Sequence, residues 1–232
     1  MTDTITLQPR PATQTGSVFA ERLAEAARYA LLRRLAPAIR HDMAGALQPI
    51  SMVAVLLEKR LQKPTPDLVT IGKNAHDISV LAREASVACM HLMSWLAPRQ
   101  DVPMAIHEGV KEAIALVATE LSFQGVNLVD DTASVAAMLP VSVLRGLFIA
   151  SLLALTDTYP GPAAVVLGAS VEARHTVLTL TLTAAAGGGS NESMSAPAGY
   201  RALHWDDVRA LAVVESAELL LSNCRVELRF PS

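Results

Sequence analysis

Met43, Leu47, Ile50, Ala54, Leu57 and Leu61 recur at alternating steps of four and three. This heptad rhythm predicts a helix running to about Leu61 whose apolar seam packs against other helices. Lys63-Pro64-Thr65-Pro66 interrupts it, and a second helical pattern follows from about Asp67 to Leu96. The two make a helical hairpin. Beyond Pro98-Arg99-Gln100-Asp101-Val102-Pro103, read as a linker, the period changes repeatedly. Helices are expected at about Ala105–Leu121, Ser142–Asp157 and Asp206–Leu221. Strands are expected near Gly125–Val129, Ala163–Ser170, His175–Thr183 and Arg225–Phe230. Val177, Leu178, Leu180 and Leu182 alternate in part, as in a sheet covered on one face. The fold class is therefore α+β, with a helical hairpin over residues 17–97 followed by an α/β sandwich over 104–232.

Composition narrows the classes. Of 232 residues, 51% are hydrophobic and 18% charged, where about 25% charged is usual. Much apolar surface must be buried, part of it between subunits, and a homodimer fits that excess. A net charge of −3 without a basic stripe argues against nucleic-acid binding. Residues 1–16 are polar and hold no apolar run, so a disordered tail is expected and no signal peptide. The most apolar window, Ala133 to Leu155, is broken by Pro140 and Arg145 and is not a membrane span. Cys89 and Cys224 are too few for a metal site or a disulfide framework and read as small buried hydrophobes. A cytoplasmic protein is expected, with no membrane partner.

The candidate chemistry sits in Arg40-His41-Asp42-Met43-Ala44-Gly45-Ala46-Leu47-Gln48-Pro49-Ile50. His41 falls two positions before Met43, beside the seam, and should reach solvent. A lone histidine is more often a satisfied interface residue, but the flanking prolines change the balance. Pro49 removes the helical partner of the Gly45 carbonyl, and Pro37 that of Arg33. A proline inside a helix costs about 3 kcal/mol, so a soft segment carrying a histidine calls for a functional explanation. Arg33, Arg34 and Arg40 form a local basic cluster able to meet an acidic protein surface. His76-Asp77 repeats the dipeptide without the downstream proline. His91, His107, His175 and His204 lack metal-ligand spacing, so no metal site is expected.

The run His41-Asp42-Met43 with Leu47, Pro49 and Ile50 resembles the phosphoacceptor box of two-component histidine kinases. The resemblance implies that two hairpins pair into a dimeric four-helix bundle, and that the C-terminal half is similar to that family's ATP-binding domain. Aligned on that domain, Ala154 stands where a magnesium-binding asparagine belongs, with Ala150 one turn earlier. Ala184 replaces an adenine-binding aspartate, and Gly199 to Val208 holds a single glycine where a glycine-rich lid is usual. Gly187-Gly188-Gly189 opens into Ser190-Asn191 with no helix at once, and reads as a flexible loop rather than a phosphate cradle. ATP binding is not expected, and the chain itself should hold no cofactor.

What remains resembles ChpT-type histidine phosphotransferases, which relay phosphoryl groups between receiver domains. In that reading His41 is the phosphoacceptor, Asp42 an accessory that orients the imidazole, and Arg40 a contact for the acidic receiver. Magnesium is expected on the partner receiver, and the partners are receiver domains of a hybrid histidine kinase and of response regulators. Gly45, four positions after the histidine, lacks the polar group that the family's phosphatase activity uses. The alternatives are a non-catalytic pseudokinase scaffold and an atypical ATP-using kinase.

Overall fold

A computed structural model describes residues 12–96, 102–159, 161–185 and 202–231. The chain divides into two compact units, Leu32–Arg99 and Met1–Leu31 together with Gln100–Ser232. The division falls inside one helix, α1 (Ala12–Leu61), which continues without a break through Pro37 and Pro49. The boundary read at residues 16 and 17 is thus not where α1 begins, and most of the linker, 97–101, lies outside the described residues.

In the Leu32–Arg99 unit α1 returns through a short turn into α2 (Leu68–Met93). The heptad seam is only partly covered: Met43, Ile50, Ala54 and Leu57 are half-buried, whereas Leu47 and Leu61 are 48% and 53% exposed. This corrects the expectation that all six are core, and the reason is geometric. One helix facing one other has a single line of contact, so the rest of an apolar stripe stays in water. Across that line Arg60 donates to the Asn74 carbonyl at 2.9 Å, a polar tie near the turn.

Asp67 caps α2. Its carboxylate accepts from the backbone N–H of Val69 and Thr70 and from the Thr70 hydroxyl. The Thr70 hydroxyl, followed by the Thr70 N–H, holds this carboxyl below the usual carboxylate range. A depressed acid stabilises the folded form above its unfolded pKa, near 3.9 for aspartate, and that contribution disappears as pH falls through the folded value. The Asp67→Asn variant should therefore lose less of its α2 helicity than the parent between about pH 4 and pH 2, as read by circular dichroism. An unchanged acid profile would rule out this role for the cap.

The other unit is a five-stranded sheet with helices packed on it. β1 (Pro103–Ala105) leads into α3 (Ile106–Phe123), followed by β2 (Val126–Asp131) and β3 (Met138–Pro140). A π-helical segment, Val143–Phe148, runs into α4 (Ile149–Asp157). Then come β4 (Ala163–Glu172), β5 (His175–Ala184), α5 (Trp205–Val214), β6 (Glu218–Ser222) and β7 (Arg225–Pro231). Strand order is β2-β4-β5-β7-β6; β2 runs parallel to β4 and the other neighbours are antiparallel, while β1 and β3 form a separate small pair. Every residue from Val143 to Thr156 is buried, so this helix is apolar nearly all round and forms the core. It lies so close to α3 that a Cβ on Gly109 would stand 2.6 Å from Leu144 Cδ1.

The structure differs from the sequence reading at three places in this unit. The expected α-helix over Ser142–Asp157 begins as a π-helix. The expected helix Asp206–Leu221 stops at Val214, and Glu218–Ser222 forms the edge strand β6. Cys224, expected to be buried, is exposed in the turn between β6 and β7. The N-terminal stretch of α1 also belongs here: Ala24, Ala27 and Leu31 are buried, and Arg28 pairs with Glu215 at 3.3 Å. Glu215 accepts from the Ser142 hydroxyl as well, at 2.8 Å. Among the described residues no helix is long and apolar enough to cross a membrane.

Candidate functional site

His41 lies on the exposed side of α1, its side chain 87% accessible. The neighbouring Asp42 is 47% accessible, and its Oδ1 lies 3.3 Å from His41 Nδ1. At that distance the hydrogen bond is weak. It still favours the tautomer with the proton on Nδ1, which leaves the Nε2 lone pair toward solvent. Arg40 is exposed one position earlier. The structure therefore brings His41 and Asp42 into contact on an open helix face, with Arg40 adjacent in the chain.

The surface one turn on is small. Ala44 and Gly45 are exposed, and a Cβ added at Gly45 would meet nothing within 4 Å. No packing demand explains this glycine. Together with Pro49, which leaves the Gly45 carbonyl without its helical donor, it gives His41 a flank free of bulky side chains. The imidazole stands on an open helix face rather than in a cleft. The basic cluster needs correcting: Arg34 is 2% exposed and buried, so only Arg33 and Arg40 face solvent. Geometry accounts for it, since adjacent positions on a helix point about 100° apart.

His76, His91, His107 and His204 are exposed and His175 half-buried. Among the described residues no three His, Cys, Asp or Glu side chains cluster as metal ligands would.

The positions aligned above with a nucleotide site fall on α4, at the end of β5 and just before α5. Ala150 and Ala154 are fully buried. The hydroxyls of α4 are turned back on the helix, Ser151 to Leu147 O at 2.7 Å and Thr156 to Leu152 O at 3.1 Å. Magnesium requires oxygen ligands, and the first carboxylate on α4 is Asp157, which accepts from the Leu203 N–H at 3.4 Å. Ala184 ends β5 opposite Ala163. In the segment aligned with the lid, residues 202–204 lead into α5, whose first turn is closed by the His204 N–H donating to Asp207. Gly187 to Gly189, and Gly199 with its neighbours, lie outside the described residues.

Sequence reading passed over the Arg60–Asn74 tie and the Glu215 junction. Neither has a local signature, because each joins residues distant in the chain.

By sequence the chain matches no protein-family model and no curated protein. By structure it is similar to the Acinetobacter baumannii histidine kinase AdeS, at 13% identity and a TM-score of 0.45 over 79% of this chain and 96% of that one. It is also similar to a histidine kinase from Burkholderia phymatum STM815, at 16% identity and 0.41 over 87% and 96% of the two chains. A bacterial phosphotransferase gives 14% identity and 0.35 over 86% and 94%. Likeness at this level says nothing of chemistry, and what the chain does has to follow from its own residues.

Proposed function

We propose that the chain is a ChpT-type histidine phosphotransferase of a cytoplasmic two-component phosphorelay, with His41 the residue that carries the phosphoryl group. The observation that carries this reading is the His41 imidazole, its side chain 87% accessible and its Nδ1 3.3 Å from Asp42 Oδ1. Nε2 attacks the phosphorus of an acyl phosphate on a receiver-domain aspartate. The N–P bond forms as the P–O bond breaks, and the receiver carboxylate leaves with the electron pair. Asp42 keeps the Nδ1 proton in place and faces the positive charge that develops on the ring. Onward transfer to a second receiver is the same step reversed. Magnesium in the receiver's own acidic pocket would neutralise the phosphoryl oxygens, and Arg40 would steer that acidic surface.

The apolar remainder of the hairpin supports a homodimer. Met52, Leu56, Val87 and Met90 are 49% or more exposed in one hairpin. Pairing two hairpins as a four-helix bundle would cover such a face. Leu56→Lys together with Val87→Lys is expected to weaken self-association at least tenfold in sedimentation analysis. Unchanged association would rule out this face as the interface.

The test of the function uses a receiver domain carrying a labelled phosphoryl group. Mixed with the chain and no ATP, it should pass label to a product that is stable in alkali and labile in acid, as phosphohistidine is. Label acquired only from ATP and magnesium would instead make the chain a kinase. Stable binding with no label from either donor would make it a scaffold.

A further inference from the structure

β2 is an edge strand. It pairs with β4 on one side and, among the described residues, with no strand on the other. An open edge presents alternate N–H and C=O groups to solvent, and proteins usually blunt it with proline, lysine, a bulge or a cover. Val126-Asn127-Leu128-Val129-Asp130-Asp131 contains no proline or lysine, and its register against β4 runs unbroken over all six residues. Among the described residues no strand, proline or bulge stands in the way of strand addition at this edge.

Beside the edge lies a groove. Ile114, Ala118 and Ser122, each four residues after the last, form a stripe on α3 that faces Gly125 to Leu128 across an open space of about 350 Å³. Ala118 and Ser122 are small, and their size makes the room. A helix set beside an exposed strand edge, with a gap of mixed apolar and polar lining between them, suits an extended peptide: the edge supplies main-chain hydrogen bonds and the gap takes alternate side chains.

The charge at the end of the strand selects among peptides. β2 ends in the exposed pair Asp130 and Asp131, with no basic residue in the strand to offset them. The Asp130 Oδ1 is already engaged by the Thr132 N–H and hydroxyl, at 2.9 and 2.6 Å. Asp131 makes the adjoining exposed charge.

We propose that this edge and groove bind an extended, basic segment of a partner protein, which adds as a sixth strand along β2. An apolar side chain of that segment seats between Ala118 and Leu128, and its flanking lysines or arginines meet the Asp130–Asp131 end. The site lies wholly within the α/β unit and is independent of what His41 does.

The test titrates the full-length chain, labelled with ¹⁵N, with an acetylated octapeptide that alternates lysine or arginine with valine or leucine. The expected result is chemical-shift change and slowed amide exchange confined to β2 and the facing stripe of α3. The same peptide with glutamate in place of its basic residues should bind at least tenfold more weakly. Ala118→Phe, which fills the groove, should weaken binding at least tenfold. The exposed Asp131→Lys provides a second variant without a packing change and should weaken it at least threefold. Equal binding by the glutamate peptide, or shifts elsewhere, would overturn the proposal. So would β2 outer amides already protected in the free chain, which would mean that the chain covers its own edge. Protection that rises with protein concentration alone would assign the edge to a second copy and also overturn it.

Discussion

Replacing His41 with alanine or glutamine is expected to abolish uptake of label from a phosphorylated receiver, a fall on the order of 10³-fold or more, as when other covalent nucleophiles are removed. The size follows from chemistry: without the imidazole nitrogen no N–P bond can form, and no other histidine on the chain has the same surroundings. His76, also exposed and followed by an aspartate, lacks the Gly45 and Pro49 context, so His76→Ala should transfer at the parent rate. Asp42→Asn should have an intermediate effect. Its 3.3 Å contact is long and exposed, so a loss of about tenfold is expected, short of what a well-placed proton partner contributes. Rapid-quench transfer from one labelled receiver measures all three variants. Transfer by His41→Ala within tenfold of the parent would place the phosphoacceptor elsewhere.

How legible each part was depended on whether its cause is local. The alternation along β4, β5 and β7 and the heptad steps of α1 are written into consecutive residues, and those elements lie close to where the pattern puts them. The end of α5 was not legible. Ser216 takes a left-handed conformation, φ 54°, and the chain reverses there with the Ala217 N–H donating to Ala212 O at 2.9 Å and the Ser216 N–H to Val213 O at 3.4 Å. This closure ordinarily uses glycine. With serine in that place and Leu219-Leu220-Leu221 following, the helical pattern runs on past the point where the chain starts a strand. β1 and β3 were hidden differently: each is three residues long and holds a proline, which speaks against a strand. At the candidate site the sequence displayed the histidine and its acidic neighbour. It could not display burial, so Arg34 was grouped with solvent-facing arginines.

Arg145 shows the same limit and gives the largest expected effect on stability. Read in sequence it only interrupts an apolar window; in the fold its side chain is 6% exposed and its guanidinium meets Glu112 through Nε at 3.1 Å and Nη2 at 2.8 Å. Glu112 is on α3 and Arg145 on the π-helical segment, so the pair joins the two helices that Gly109 allows to approach so closely. A buried ion pair adds little net stability over apolar residues of the same size, yet removing the carboxylate from a buried guanidinium is costly; with Glu112 26% exposed the cost is about 3 kcal/mol, the low end of the range for a buried pair. Glu112→Ala should therefore lower the melting temperature of the α/β unit by roughly 10 °C, at about 2–4 °C per kcal/mol for a chain of this length. The double variant Glu112→Leu with Arg145→Met should recover most of that loss. Trp205, on α5 in the same unit, reports unfolding once Trp95 is replaced by phenylalanine. If the double variant were as unstable as Glu112→Ala, the pair's value would lie in its own hydrogen bonds rather than in relief of a stranded charge.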